Sequence, residues 1–201
     1  MSGYTDYTPG MRFPSGTIER GGTMKLLTVK KRHFRGKECC IGAGFVSNGH
    51  WAVRTSRLAN ADLFAANNDD GEACRAAFPG VHVRPRAIGF EAAAGAHPVV
   101  AWTTTHYLCS VPQLAGVYST PSRTTLARIL TNEAGTLALL DSAYLAMVDM
   151  DKAGVTLYGA PTGCAPFRDA DDLADATLLL MPISAKDLPV FPTYHKEETD
   201  Q

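Results

Sequence analysis

Residues 39–54 read Cys39-Cys40-Ile41-Gly42-Ala43-Gly44-Phe45-Val46-Ser47-Asn48-Gly49-His50-Trp51-Ala52-Val53-Arg54. An apolar run from Cys39 to Val46 meets Ser47-Asn48-Gly49-His50, and a second run, Trp51 to Val53, follows. Asn and Gly both tolerate positive φ, so an Asn-Gly pair between apolar runs predicts a type I′ turn joining two antiparallel strands. This hairpin sets the fold class, because its strands must belong to a sheet.

Ser56 then stands where an N-cap opens a helix over 57–67, with Leu58, Ala61 and Ala65 near one face and Ala59, Leu63 and Ala66 near another. The same order recurs downstream. A strand over 126–131 meets the turn Asn132-Glu133-Ala134-Gly135, a strand Thr136 to Leu140 follows, and Asp141 caps a helix to about Met150. Asn48 and Asn132 lie 84 residues apart, and Ser56 and Asp141 lie 85 apart. The near-period predicts an α+β fold of antiparallel sheets, one domain over 24–196 made of two hairpin-plus-helix halves, about 24–98 and 99–196.

Further elements extend both halves. Met24, Leu26 and Val29 alternate as a strand over 24–31, and Asp69 with Glu72 opens a short helix that Pro79-Gly80 stops after Phe78. Strands are predicted at Val81–Arg84, Val99–Cys109, Val155–Tyr158 and Thr177–Ile183, with an acidic loop over 161–175 before the last. Residues 1–23, rich in Gly, Ser, Thr and Pro, read as a flexible arm, and 197–201 as a frayed tail.

With 45% hydrophobic and 19% charged residues, the chain has an ordinary globular composition, which excludes collagen-like and wholly disordered classes. The net charge of −1 excludes a uniformly basic nucleic-acid binder. It conceals segregation, since residues 1–100 hold 13 basic and 8 acidic groups and residues 101–201 hold 6 and 12. Five cysteines without a Cys-x-x-Cys pair give neither a disulfide framework nor a zinc finger and point to the reducing cytoplasm. No apolar run reaches about eighteen residues, so no membrane span is expected.

The strongest chemical signal is the basic cluster Lys30, Lys31, Arg32, His33, Arg35 and Lys37, joined by Arg54 and Arg57. Cations at this density track a phosphate backbone by releasing its counterions, and Phe34 among them offers a ring for a base. An alternative ligand surface is Trp102, Thr103, Thr104, His106 and Tyr107, suited to a small nucleotide or a protein partner. A Cys/His nucleophilic pair, drawn from Cys39 or Cys109 with His50 or His106, is weaker because those cysteines sit in apolar contexts. The aspartates 169, 171, 172 and 175 lack the glycine and terminal glutamate of a calcium loop. Walker, nucleophile-elbow and zincin signatures are absent, and the six histidines show no i, i+4 pair, so neither enzyme activity, nor a metal, nor a cofactor is expected.

Three segments together resemble the bacterial sliding clamps, the beta subunit of DNA polymerase III. Gly44-Phe45-Val46-Ser47-Asn48-Gly49-His50-Trp51-Ala52 is similar to that family's strand and Thr-Asp-Gly-His-Arg-like hairpin, with Asn48 in the Asp position and Trp51 in the Arg position. Leu179-Leu180-Met181-Pro182-Ile183-Ser184 resembles its final Val-Met-Pro-Met-Arg strand, with Ser184 in place of Arg. Asp141-Ser142-Ala143-Tyr144-Leu145 is similar to its helix opening near Asn-Pro-x-Tyr-Leu. The resemblance implies a DNA-clamp-like fold. The chain also looks like small phage or prophage proteins with a Gly-His-Trp hairpin. The expectation is a non-enzymatic, homo-oligomeric clamp-like protein contacting DNA or a replication partner through Lys30, Lys31, Arg32, Arg35, Lys37 and Arg54. The alternative is a phage-encoded inhibitor or decoy.

Overall fold

The structure, a computed structural model, describes residues 26–65, 71–113, 123–183 and 193–196. The predicted arm and tail lie outside the described residues. In chain order come β1 (Glu38–Ala43), β2 (Phe45–Ser47), β3 (Trp51–Arg54), α1 (Glu72–Ala77), β4 (His82–Gly89), α2 (Phe90–Ala94), β5 (Val100–Gln113) and β6 (Arg123–Asn132). They are followed by β7 (Leu137–Asp141), α3 (Ser142–Met147), β8 (Thr156–Gly159), β9 (Phe167–Arg168), β10 (Leu178–Leu180) and β11 (Thr193–Lys196). The fold is α+β. The strands form one sheet in the order β4-β1-β2-β3-β10-β9-β8-β5-β6-β7, with β11 beside β5. Its pairings are antiparallel except β1 with β4.

The 39–54 stretch yields two hairpins where the sequence suggested one. The apolar run breaks at the two-residue turn Ala43-Gly44, so that β1 folds back on β2 with Gly42 opposite Phe45. Gly44 takes φ 74°, which a side chain at that position would resist. The expected turn at Asn48-Gly49 is displaced by one residue. Gly49, at φ 86°, and His50 form its centre, while Asn48 keeps negative φ and bonds Trp51 O through its backbone N–H. Glycine at the first central position is the requirement of a type II′ turn. The Asn48 side chain supplies the reason for the shift, its Oδ1 accepting from both His50 N (2.9 Å) and Trp51 N (3.1 Å).

Over the described residues 57–65 the helix expected across 57–67 does not form. Short 3-10 turns occur at Thr55–Arg57 and Ala61–Phe64 instead. The N-terminal segment takes up the groups a helix would use: Leu27 N donates to Arg57 O, Ala59 N to Leu27 O, and the Asn60 side chain exchanges bonds with the backbone of Val29. The strand expected at 24–31 is reduced, within the described residues, to one bridge between Leu27 and Leu58. In the second half the β6–β7 hairpin and its helix form, and Asp141 caps α3 by accepting from Ala143 N at 3.0 Å.

Alternation along the strands divides the interior. Trp51 and Val53 of β3 join Trp102, Leu130, Leu145, Leu157 and Phe167 in the main core on one face. Ala52 faces the other way, against Phe90 and Ala94 of α2. Trp51 and Trp102 are 1% and 0% exposed, each removing about 150–250 Å² from water.

Candidate functional site

The basic segment is two consecutive 3-10 turns, Lys31–His33 and Arg35–Lys37, leading into β1. Phe34 between them anchors the segment rather than offering a ring for a base. It is 4% exposed, with ring centroids 5.4 Å from Phe78 and 5.8 Å from Trp51. The carbonyl of His33 is held from two sides, by Asn48 Nδ2 at 2.9 Å and Trp51 Nε1 at 3.1 Å. The turn backbone is therefore fixed to the β2–β3 hairpin. Lys30, Lys31, Arg32 and Lys37 are exposed on it. Among the described residues no carboxylate forms an ion pair with these four.

His33 is half-buried and both its ring nitrogens face donors, Nδ1 accepting from Lys30 N (3.1 Å) and Nε2 facing Arg32 Nε (3.3 Å), an arrangement that disfavours a doubly protonated ring. Burial, then the neighbouring charges of Arg32 and Lys30, lowers its pKa below the ordinary 6.5. The imidazole is neutral at pH 7, and the positive charge of the turn resides on its lysines and arginines.

Arg54 does not join them. Its side chain lies on the opposite face of β3, where the guanidinium carbon stands 4.2 Å from the Phe90 ring centroid. Nε donates to Ala176 O (2.6 Å), and Nη2 donates to Leu173 O (3.0 Å) and to Glu91 Oε1 (2.9 Å). These bonds fasten α2 and the chain leading into β10 to the sheet. The side chain of Arg35 lies outside what the structure describes.

The alternative surface is split by its own strand. Trp102 is buried in the main core, and Thr104 is buried with Oγ1 donating to Lys152 O (2.7 Å) and accepting from Val155 N (2.8 Å). Thr103 is exposed, and so are His106 and Tyr107, which sit on a bulge where Thr105-His106-Tyr107 oppose Ile129 alone. The bulge is fixed by Thr105 Oγ1 donating to Ile129 O and by the buried Arg128, whose Nη1 donates to Thr105 O at 3.2 Å.

No family model, curated protein or solved structure matches the chain. Cys39 and Cys109 are 0% and 1% exposed, burial pushes the Cys109 thiol up, and the Cys39 sulfur faces that of Cys74 at 3.8 Å. Neither is poised as a thiolate. Asp169, in the acidic loop, sets the start of β10, its carboxylate accepting from Thr177 N (2.8 Å), Leu178 N (3.0 Å) and Thr177 Oγ1. Among the described residues no three His, Cys, Asp or Glu side chains converge as metal ligands, and no helix is long and apolar enough to cross a membrane. The role of Asn48, which holds the basic turn, was hidden in the sequence behind its role as a turn residue.

Proposed function

We propose that this chain is a non-enzymatic, clamp-like DNA-binding protein that holds a phosphate backbone on the turn carrying Lys30, Lys31, Arg32, Arg35 and Lys37. The observation that carries the reading is the fixed backbone of that turn, pinned by Asn48 and Trp51 through His33 O and by the buried Phe34, with Lys30, Lys31, Arg32 and Lys37 left in solvent. A rigid platform loses little entropy on binding, and each neutralised phosphate adds salt-dependent affinity without reading sequence. The clamp part of the reading is supported by proximity. The three segments resembling the sliding clamps are neighbours: β3 pairs with β10, and Tyr144 of α3 bonds Asn48 of the hairpin. Enclosing a duplex takes more than one copy, so the proposal includes a homo-oligomer.

The test is fluorescence anisotropy with a random-sequence duplex between about 50 and 200 mM salt, where five phosphate contacts predict a log–log slope of about −4 to −5. Charge reversal at Lys30, Lys31, Arg32 and Lys37 together should abolish binding. Unchanged affinity in that variant would sink the proposal, and a monomer by light scattering in the presence of duplex would remove its clamp part.

A further inference from the structure

The basic turn enters β1 through Lys37, whose backbone holds φ 59°, a left-handed conformation that residues other than glycine rarely take. Lys37 is exposed, and the next residue, Glu38, lies opposite His82 in the parallel pairing of β1 with β4. The turn therefore ends beside the start of β4. From there β4 runs along the outer edge of the sheet, with β1 as its one neighbour. Val83 points into the main core, and Arg84 after it is exposed. Arg84 pairs through Nε with Glu38 Oε1 (3.4 Å), and its side chain stays 56% exposed. Arg86 is exposed and makes no ion pair among the described residues. It opens a bulge in which Arg86, Ala87 and Ile88 stand against Gly42 alone. β4 contains no carboxylate.

We propose that the DNA backbone held on the basic turn continues along β4, with Arg84 and Arg86 as two further phosphate contacts. The inference rests on the duplex-binding reading of the turn and extends it to a second element. A protein strand fits this edge poorly, because Pro85 offers no N–H to a ladder and the bulge breaks its regularity. A phosphate backbone needs no ladder, only cations continuous with those that already hold it. Guanidinium groups suit that role, since they present several donors at once to phosphate oxygens. From His82 to Arg86 the strand rises about 13 Å at roughly 3.3 Å per residue, which matches about four base pairs along a duplex.

The test is the salt dependence of duplex binding by the full chain, followed by anisotropy. The turn alone gives a log–log slope of about −4 to −5, and two added contacts steepen it to about −6. Arg84→Ala combined with Arg86→Ala should bring the slope back to about −4 to −5, and the Lys pair at both positions should keep it near −6. Arg86→Ala alone, which removes no described ion pair, should lower the slope by about one unit and leave the urea midpoint unchanged. Arg75→Ala is the control, an exposed cation on α1, which packs on the main-core face away from Arg84, and it should leave the slope as it is. A native slope of −4 to −5 that Arg86→Ala and the double Ala variant do not change overturns the extension along β4. If charge reversal of the turn still abolishes binding in that case, the turn reading stands without it. A native chain that binds no duplex overturns both.

Discussion

Asn48 Nδ2 donates to Tyr144 Oη at 3.1 Å, a bond between the β2–β3 hairpin and α3, 96 residues apart. Both residues are buried, and the same amide nitrogen also donates to His33 O. The bond makes the position of the basic turn depend on α3. Tyr144→Phe should cost about 1 kcal/mol, and Asn48→Ala about 2–4 kcal/mol, because it also strips the acceptor from two backbone N–H groups. In a double-mutant cycle read by urea unfolding the pair should couple by about 0.5–3 kcal/mol. Strict additivity would mean that the hydroxyl and amide do not interact in solution.

Arg54 and Lys31, both basic, should separate stability from binding. Arg54→Lys loses the forked bonds to Ala176 O and Leu173 O and should cost about 1–3 kcal/mol, while duplex affinity per folded molecule stays unchanged. Lys31→Ala should leave stability within about 0.5 kcal/mol and reduce the salt slope by about one unit. A fully folded Arg54→Lys protein with weakened duplex binding would put Arg54 back at the interface.

His33 makes stability fall on acidification. Its folded-state pKa lies below the ordinary 6.5, so between those two values the unfolded chain binds more protons than the folded one. Stability therefore rises with pH through that window and is lost as pH drops through 6.5 toward the folded value. The urea midpoint should be lower at about pH 5.5 than at about pH 7.5, and His33→Gln should shrink the difference. An identical pH dependence in His33→Gln would assign the effect to other groups.

Arg128, 1% exposed, is held by Asp151, with Nη2 at 2.8 Å from Oδ1, and Asp151 also accepts from Ser142 Oγ. Asp151→Ala removes the carboxylate that the buried Arg128 guanidinium pairs with and should cost about 3–5 kcal/mol. Because Arg128 also bonds Thr105 O, the Tyr107 amide should exchange faster than in the native protein. Exchange at Tyr107 unaffected by the substitution would show that the bulge is held without Arg128.

The local grammar of the chain was largely legible. The hairpin around Asn48-Gly49, the Asp141 cap and the strand at Leu178–Leu180 all follow from turn chemistry and apolar patterning, which act over a few residues. What was not legible depends on distant partners. The 57–67 segment has apolar spacing compatible with a helix, but Leu27 and Val29 claim its backbone and Asn60. Arg54 looks like any surface cation until the carbonyls of Leu173 and Ala176 meet it from about 120 residues away. Phe34 sits among cations in the sequence and among Trp51, Phe64 and Phe78 in space. A one-dimensional charge cluster therefore identified the exposed Lys30, Lys31, Arg32 and Lys37 but could not sort out the groups beneath and behind them.

The pairing of β3 with β10 has a consequence for synthesis. At roughly 5–20 residues per second, a ribosome that has made Arg54 needs about 6–25 s to reach Leu178. Throughout that interval the β2–β3 hairpin leaves the tunnel with one edge open and Trp51 and Val53 uncovered. An edge of that kind templates aggregation. The nascent chain is thus the vulnerable form of this protein, and fragments that stop short of residue 178 should precipitate or require a chaperone where the whole chain does not.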